Sequence, residues 1–178
     1  GMQRIGVSVI YQELNLIPHL SVARNIFLGH EPQTVRGVID FRTMHQRSRE
    51  LLNLLGIDLP PRKPVAELGI AARQLVEVAK ALSRRVRLLI MDEPTAPLSE
   101  QEIANLFDVV RRLRDQGVTV IYISHRLEEV FKLADRVTVL RDGRVVGTHP
   151  VADVTRDGLV RLMVGRDITT RSEERRVG

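Results

Sequence analysis

The chain has 178 residues, of which 43% are hydrophobic and 28% charged, a composition typical of a globular protein that buries a sizeable core. No apolar run approaches the roughly 20 residues of a membrane-spanning helix, we expect no signal peptide, and without cysteine there is neither a disulfide nor a thiolate metal site. The net charge of +5 is compatible with nucleic acid, but aromatic residues are only 3% and the arginines follow amphipathic segments, so we expect no nucleic-acid partner.

The first part of the chain predicts one strand followed by helices. Residues 7–12, VSVIYQ, are β-rich and predict a strand that ends at Gln12. We expect the stretch from about residue 22 to 84 to be an all-helical insert. Three segments with helical spacing or typical terminal residues lie in or beside it, namely 21–29 with Ser21 as N-cap, 40–56 with Gly56 as its stop, and 71–84.

Two apolar runs in the second part predict neighbouring strands of one sheet. RLLIMD, residues 87–92, is a short continuous run of the kind found in strands covered on both faces, and VTVIYIS, residues 118–124, predicts a second buried strand. Between them, the capping box formed by Ser99 and Glu102 begins a helix that ends near residue 117. Strands alternating with helices predict an α/β fold with a parallel sheet.

The remaining elements are shorter. LEEVFKLA predicts a helix, and RVTVLRDGRVVGTH predicts a β-hairpin that turns at Asp142 and Gly143. We expect the side chains of Phe41, Phe107 and Phe131 to lie in the core.

Two adjacent carboxylates, Asp92 and Glu93, follow the first of these apolar runs directly. An Asp at the carboxyl end of a buried strand can hold Mg²⁺, usually through water, where ligands bind to parallel sheets. A neighbouring Glu can orient or polarise an attacking water. The alternative is a strand that ends at the surface in two solvated acids, and the pair by itself does not decide between the two.

A histidine ends the second apolar run. Because the carboxyl ends of parallel strands lie at one edge of a sheet, we expect Glu93 and His125 to be presented there together. A histidine at that position can touch a γ-phosphate and its attacking water. A purely structural histidine is the alternative interpretation.

In their order and spacing these motifs resemble those of the nucleotide-binding domain of ABC transporters, over nearly all of residues 5–166. VIYQE is similar to the Q-loop, which implies Gln12 as a Mg²⁺ and coupling residue. LLIMDEPT is similar to Walker B, which implies Asp92 for Mg²⁺ and Glu93 as catalytic base. APLS occupies the D-loop position, and YISHR supplies the switch histidine, His125. The resemblance implies a P-loop NTPase-like parallel sheet core with an all-helical subdomain, and ATP and Mg²⁺ as cofactors.

Two departures from the family pattern concern phosphate binding across the domain interface. The family signature is Leu-Ser-Gly-Gly-Gln, whereas the matching positions here are Leu68, Gly69, Ile70, Ala71 and Ala72. Since Gly69 has no hydroxyl, we expect a weakened contact with the γ-phosphate of a partner domain. The D-loop aspartate is replaced by Ser99, for which we favour the N-cap role.

Longer stretches narrow the resemblance within the family. YQELNLIPHLSVARNIFLGHE, QLVEVAKALS and RLMVGRD are similar to the first half of the tandem ATPase of bacterial simple-sugar importers, of the ribose, galactose and xylose type. This implies ATP-driven sugar uptake at the cytoplasmic face of the bacterial inner membrane. The implied partners are a second ATPase domain in the same chain, a transmembrane permease docked on the helical insert and, indirectly, an extracytoplasmic sugar-binding protein.

No G-x-x-x-x-G-K-[ST] sequence occurs in the 178 residues. In the family this P-loop precedes the Q-loop and supplies most of the phosphate affinity. We therefore interpret residues 1–170 as a partial nucleotide-binding domain without its P-loop portion, and expect the chain alone to be inactive. Residues 171–178, RSEERRVG, resemble a translated sequencing adapter, and we interpret them as a non-native tail.

Two other functions stay open. A non-catalytic structural half-module is favoured by the LGIAA segment and opposed by the intact Gln12, Asp92, Glu93 and His125. A non-transport ABC ATPase that acts on ribosomes or DNA would share Walker B, but the sequence has neither a long charged coiled-coil arm nor an aromatic-rich basic patch.

Overall fold

The computed structural model describes residues 6–11, 15–84 and 86–165, and the chain divides into two compact units with the boundary between Ile123 and Ser124. The described elements of the first unit are β1 (Val7–Ile10), α1 (Val22–Ile26), α2 (Phe41–Leu54), α3 (Ile70–Leu82), β2 (Leu88–Asp92), α4 (Glu100–Asp115) and β3 (Thr119–Ile123). Those of the second unit are α5 (Leu127–Leu133), β4 (Arg136–Arg141), β5 (Arg144–Pro150) and α6 (Arg156–Val164). Within the described residues, no helix has the length and apolar character needed to cross a membrane.

The described strands of the first unit form a parallel sheet in the order β1-β2-β3, which confirms the predicted α/β fold. Ile10 pairs with Met91, and Asp92 pairs with Ile123, so β2 lies between its two neighbours. Helix α3 packs against β1, and α4 packs against β3. Leu89 and Met91 of β2 are fully buried, as residues of a central strand are expected to be.

One face of this sheet is less covered than the sequence predicts. Leu88 and Ile90 of β2 are only half-buried, and Ile121 and Ile123 of β3 are each 46% exposed. The prediction that β3 is a buried strand is therefore wrong for one of its two faces. Because every second side chain points to the same face of a strand, alternate residues of β3 differ in burial although all are apolar or β-branched.

The helices of the first unit begin within one residue of the predicted start and end earlier than predicted. Helix α1 has Ser21 as its N-cap, with the hydroxyl accepting from the Arg24 N–H at 3.3 Å, and it ends at Ile26 instead of near residue 29. Helix α2 ends at Leu54, and Gly56 follows with φ at +75°, as its predicted role as a stop requires.

Helices α1, α2 and α3 pack on one another. The side chain of Asn25, fully buried in α1, accepts from the Ile17 N–H at 2.7 Å and donates to the Ile17 and Leu20 carbonyls at 3.0 and 3.2 Å. These contacts fix the loop that leads into α1. That the helical stretch is a separate subdomain stays a prediction, since α3 also contacts β1.

The second unit contains the predicted β-hairpin. Strands β4 and β5 pair antiparallel and are joined by Asp142 and Gly143, whose φ angles of 50° and 72° are those of the turn that Asp-Gly favours. Helix α6 follows with Thr155 as its N-cap.

The predicted burial of the three phenylalanines is correct for one of them. Phe107 is buried in α4 and lies edge-on to Tyr122, with ring centroids 6.3 Å apart. Phe41 and Phe131 are 50% and 37% exposed, and their assignment to the core is wrong. Both lie on helices where the apolar pattern alone does not show which side faces solvent.

Candidate functional site

The carboxyl end of β2 places Asp92 where ligands bind to parallel sheets. Asp92 is the last residue of the strand and is half-buried. Strands pair with β2 on both sides, and the apolar residues Leu89 and Met91 anchor it in the core. The Asp92 carboxylate is therefore held at the end of a rigid element but stays accessible, an arrangement that suits a ligand of a hard cation.

The backbone turns sharply at Glu93. Its N–H donates to the Ile123 carbonyl at 3.0 Å, which extends the pairing with β3 by one residue. Its φ angle is 43°, a left-handed value that residues other than glycine rarely adopt. The half-buried Glu93 side chain thus leaves the strand in a direction that an extended backbone would not give it. Left-handed non-glycine residues are enriched at functional sites, where the surrounding structure compensates their cost.

A short turn connects Glu93 to α4 and fixes their spacing. The Ala96 N–H donates to the Glu93 carbonyl at 3.3 Å, and the Leu98 N–H donates to the Thr95 carbonyl at 3.0 Å. Pro94 and Thr95 are buried. Because the middle of the turn is anchored in the protein, the two carboxylates before it are not on a loose loop.

Ser99 is the N-cap of α4, which confirms the predicted capping box. Its hydroxyl accepts from the Glu102 N–H at 3.4 Å, and the Glu102 carboxylate accepts from the Ser99 N–H at 2.9 Å and hydroxyl at 2.8 Å. These two donors lower the pKa of Glu102. The exposed Ser99 is occupied in local hydrogen bonds, and a role in the D-loop stays a prediction.

The segment at the signature position leads into α3. Leu68 is buried, Gly69 is the N-cap, and Ile70 is 50% exposed, while Ala71 and Ala72 are half-buried in the first turn. Among the residues that the structure describes, no side chain caps this helix end. The first N–H groups of a helix have no partner within the helix, so this uncapped end can still offer backbone donors to an anion.

Gln74, one turn further along α3, is not available to such an anion. The residue is 3% exposed, and its side-chain Nε2 has no hydrogen-bond partner within the described residues. It lines a small cavity of about 30 Å³ between α3 and α4, together with Ala71, Leu98 and Asn105. A cavity of this volume can hold one water molecule.

His125 lies in the second unit, in the exposed loop between β3 and α5. Its presentation beside Glu93 at one sheet edge stays a prediction, because the two residues belong to different compact units. Gln12, the predicted Q-loop residue, lies outside the described residues, as does the tail 171–178.

Sequence reasoning did not single out Glu129, a buried acidic residue that contacts the histidine loop. Glu129 is 3% exposed and contacts the residues on both sides of His125. Its position in the first turn of α5 is a weak sequence signal. The adjacent Glu128 carries the same signal and is exposed, so the sequence does not separate the two.

Comparison with known proteins gives one family and a consistent set of relatives. The sequence profile of the family described as ABC transporter matches residues 2–96. A ribose import ATP-binding protein of Rubrobacter xylanophilus is 57% identical over 98% of this chain and 34% of its own length. A putative ribose/galactose/methyl galactoside import ATP-binding protein of Agrobacterium fabrum is 49% identical over 92% of this chain and 32% of its own length. The chain thus spans about a third of the length of the curated relatives it matches.

Solved structures agree on the fold. A subunit of an ABC transporter complex from Clostridium perfringens matches with a TM-score of 0.73 and 24% identity, over 91% of this chain and 64% of that one. A nucleotide-free ATP-binding cassette from an ABC transporter matches with a TM-score of 0.71 and 19% identity, over 84% of this chain and 62% of that one.

Proposed function

The chain belongs to the ABC transporter family, and on this premise we propose that it is part of a nucleotide-binding domain that couples ATP hydrolysis to uptake of a simple sugar. The observation that carries the proposal is the pair Asp92 and Glu93 at the carboxyl end of β2, in a parallel sheet with the fold of ATP-binding cassettes. The names of the relatives, which specify import of ribose or galactosides, support a pentose or hexose as the cargo.

Asp92 is proposed to hold Mg²⁺, and its chemistry fits that ion. Magnesium prefers oxygen ligands and is often bound through one or two carboxylates together with substrate phosphates. The half-buried Asp92 offers one such carboxylate at a rigid strand end. Gln12 is the proposed second protein ligand. When bound with ATP, Mg²⁺ would neutralise charge that develops on the phosphates.

Glu93 is proposed as the catalytic base. A carboxylate one residue beyond a magnesium ligand can accept a proton from a water and orient that water for attack. The left-handed backbone at Glu93 supports this role, because it sets the direction of the side chain independently of the strand. His125 is proposed to contact the γ-phosphate, as the resemblance to the switch histidine implies.

The same family pattern supports proposals for organisation and partners. Residues 1–170 are proposed to be part of a nucleotide-binding domain, with a helical subdomain at about 22–84, and residues 171–178 a non-native tail. The coverage of about a third of each relative supports a second ATPase domain in the same longer chain. A transmembrane permease, a sugar-binding protein beyond it, and a position at the cytoplasmic face of the membrane complete the proposal.

Gly69 favours a second candidate, a structural half-module that has lost catalysis. The N-cap of α3 has no hydroxyl to offer a partner domain's nucleotide, although its backbone geometry would accommodate one. This substitution weakens only the nucleotide site to which the beginning of α3 contributes. The carboxylates Asp92 and Glu93 serve the nucleotide at the other site. We therefore favour the catalytic candidate.

ATP hydrolysis by a chimera tests the proposed function. In this chimera, residues 5–165 of the chain replace the matching segment of the Rubrobacter xylanophilus relative, which supplies the remaining two thirds. We expect magnesium-dependent ATP hydrolysis that falls by about 10²- to 10⁴-fold in Glu93→Gln. Glu100→Gln, at an exposed position in the first turn of α4, is the matched control and should leave the rate unchanged.

Two results would contradict the proposal. Equal rates for Glu93→Gln and Glu100→Gln would remove Glu93 from catalysis. Magnesium-dependent hydrolysis by the purified 178-residue chain, which has no P-loop sequence, would show that phosphate is bound in a way the proposal does not contain.

A further inference from the structure

A buried carboxylate holds the loop that carries His125. Glu129, in the first turn of α5, is 3% exposed, whereas the preceding Glu128 is exposed. A charged side chain is seldom buried without partners, because removing an unpaired charge from water is strongly unfavourable. The partners of Glu129 therefore indicate what it does.

Those partners include the two neighbours of His125 in sequence. One carboxylate oxygen of Glu129 accepts from the Ser124 hydroxyl at 2.8 Å, and the other lies 3.0 Å from the Arg126 guanidinium. The Ser124 hydroxyl in turn accepts from the Arg126 N–H at 3.0 Å. The Glu129 N–H donates to the Arg126 carbonyl, also at 3.0 Å. Side chain and backbone thus close a small network around the histidine.

This network constrains His125 from both sides. Hydrogen bonds to an ionised carboxylate are shorter and stronger than those between neutral groups. With Ser124 and Arg126 both tied to the same buried group, the backbone between them loses much of its freedom. His125 itself is exposed and lies at the point of the loop that these contacts hold.

We propose that Glu129 is a positioning residue for His125. This role rests on the proposed function, in which His125 acts on phosphate. Glu129 fixes the loop before nucleotide binds, so that the imidazole does not have to be ordered during the reaction. Pre-organisation of this kind is effective because misplacing a catalytic group by about 1 Å can cost about 100-fold in rate.

Two neighbouring glutamates provide a matched pair of variants. Glu129→Gln keeps the size of the side chain but removes its charge, and its amide nitrogen faces either the Ser124 hydroxyl or the Arg126 guanidinium. Glu128→Gln is the control, because Glu128 pairs only loosely with Arg156, at 3.6 Å with both side chains 66% exposed. Ser124→Ala removes one contact of the network and takes the place of Glu129→Gln in the test if that variant does not fold.

The first test is NMR spectroscopy of the five histidine rings of the 178-residue chain. We expect Glu129→Gln and Ser124→Ala to shift and broaden the ring signals of His125 while the other four histidines keep theirs, and Glu128→Gln to change none. An unchanged His125 signal in a folded Glu129→Gln variant would overturn the proposal. So would equal changes at all five rings, which would indicate a general effect on the fold.

The second test is a double-mutant cycle of ATP hydrolysis in the chimera. Glu129→Gln should lower kcat by about ten- to a hundredfold with KM for ATP unchanged, and should have no further effect when His125 is already Ala. An equal loss in the His125→Ala background would overturn the positioning role. A normal rate for His125→Ala alone would instead overturn the proposed function of His125, a result distinct from an unchanged His125 spectrum.

Discussion

The backbone of Glu93 combines a firm hydrogen bond with an unfavourable dihedral angle. Its N–H is paired with the Ile123 carbonyl at 3.0 Å, and its φ is 43°. For an L-residue with a Cβ, the left-handed region costs roughly 1–2 kcal/mol. Glycine would adopt this left-handed backbone at a lower cost in free energy. A glutamate at this position is what a requirement for the carboxylate would produce.

Comparison of Glu93→Gly with Glu93→Ala isolates this backbone cost. Both variants lose the carboxylate, so they differ mainly in the Cβ and in the freedom of the unfolded chain. We expect Gly to exceed Ala by about 1 kcal/mol in the free energy of unfolding, the reverse of the order inside regular elements. Urea unfolding of the two variants measures this difference. A more stable Ala variant would contradict a strained Glu93.

Glu77 of α3 gives the stability a specific pH dependence. The residue is 9% exposed, burial raises the pKa of its carboxyl, and the opposing attraction of the Lys80 ammonium, 3.8 Å from its Oε1, does not cancel this effect. A carboxyl whose pKa is higher in the folded state binds more protons there than when unfolded. Its contribution to stability is therefore present below its unfolded pKa and is lost as pH rises through its folded pKa.

Replacement of Glu77 by Gln should remove this dependence. We expect the stability of Glu77→Gln relative to wild type to increase between pH 4 and pH 7, because only the wild type loses a proton from a buried group. Thermal unfolding at several pH values measures it, with the exposed Glu128→Gln as control. A relative stability that decreases over the same interval would show that Lys80 dominates over burial.

At the scale of single residues, the sequence identified groups that carry a local signal or a family resemblance. An apolar run that ends in two acids singles out Asp92 and Glu93, the resemblance to Walker B implies their roles, and the capping box predicts Ser99 as an N-cap. Glu129 was not predicted because its importance comes from burial, which neither its own identity nor that of Glu128 reveals.

At the scale of elements, the beginning of α3 differs from those of α1 and α4 by one side chain. Gly69 has φ and ψ of −66° and 164°, nearly those of the capping residues Ser21, at −67° and 161°, and Ser99, at −69° and 162°. A Cβ added at Gly69 would meet no atom of the described residues within 4 Å. The backbone is therefore already arranged for a serine, the residue that the family signature has there.

Gly69→Ser should restore a cap to α3. The new hydroxyl can accept from the Ala72 N–H, as that of Ser99 accepts from Glu102. We expect a gain of a few tenths of a kcal/mol over Gly69 and about 1 kcal/mol over Gly69→Ala. Urea unfolding of the three proteins measures this, and equal stabilities of the Ser and Ala variants would show that the hydroxyl makes no cap.

The strands show where a sequence pattern loses information. The alternation of strands and helices predicted the parallel sheet, and the structure has it. In VTVIYIS, however, nearly every residue is apolar or β-branched, so the pattern cannot tell a covered face from an open one. Burial in β3 is decided by the elements that pack on it. The ring of Tyr122 contacts α4, whereas Ile121 and Ile123 lie on the opposite face of the strand.

At the scale of the whole molecule, the order of motifs carries more than any one of them. The α/β fold followed from periodicity, and the family resemblance followed from four motifs in a fixed order. The family profile matches residues 2–96. The predicted presentation of Glu93 beside His125 stays a proposal, because the two residues belong to different compact units and the chain spans about a third of the length of the relatives it matches.

Ribose uptake tests the central claim, that Glu93 acts in ATP hydrolysis coupled to sugar import. The measurement is uptake by Rubrobacter xylanophilus cells in which the chimera replaces the ribose import relative, with equal amounts of the Glu93 and Glu93→Gln forms. We predict uptake with the Glu93 form and its loss with Glu93→Gln. Undiminished uptake with Glu93→Gln would contradict the account and leave the chain as a structural half-module.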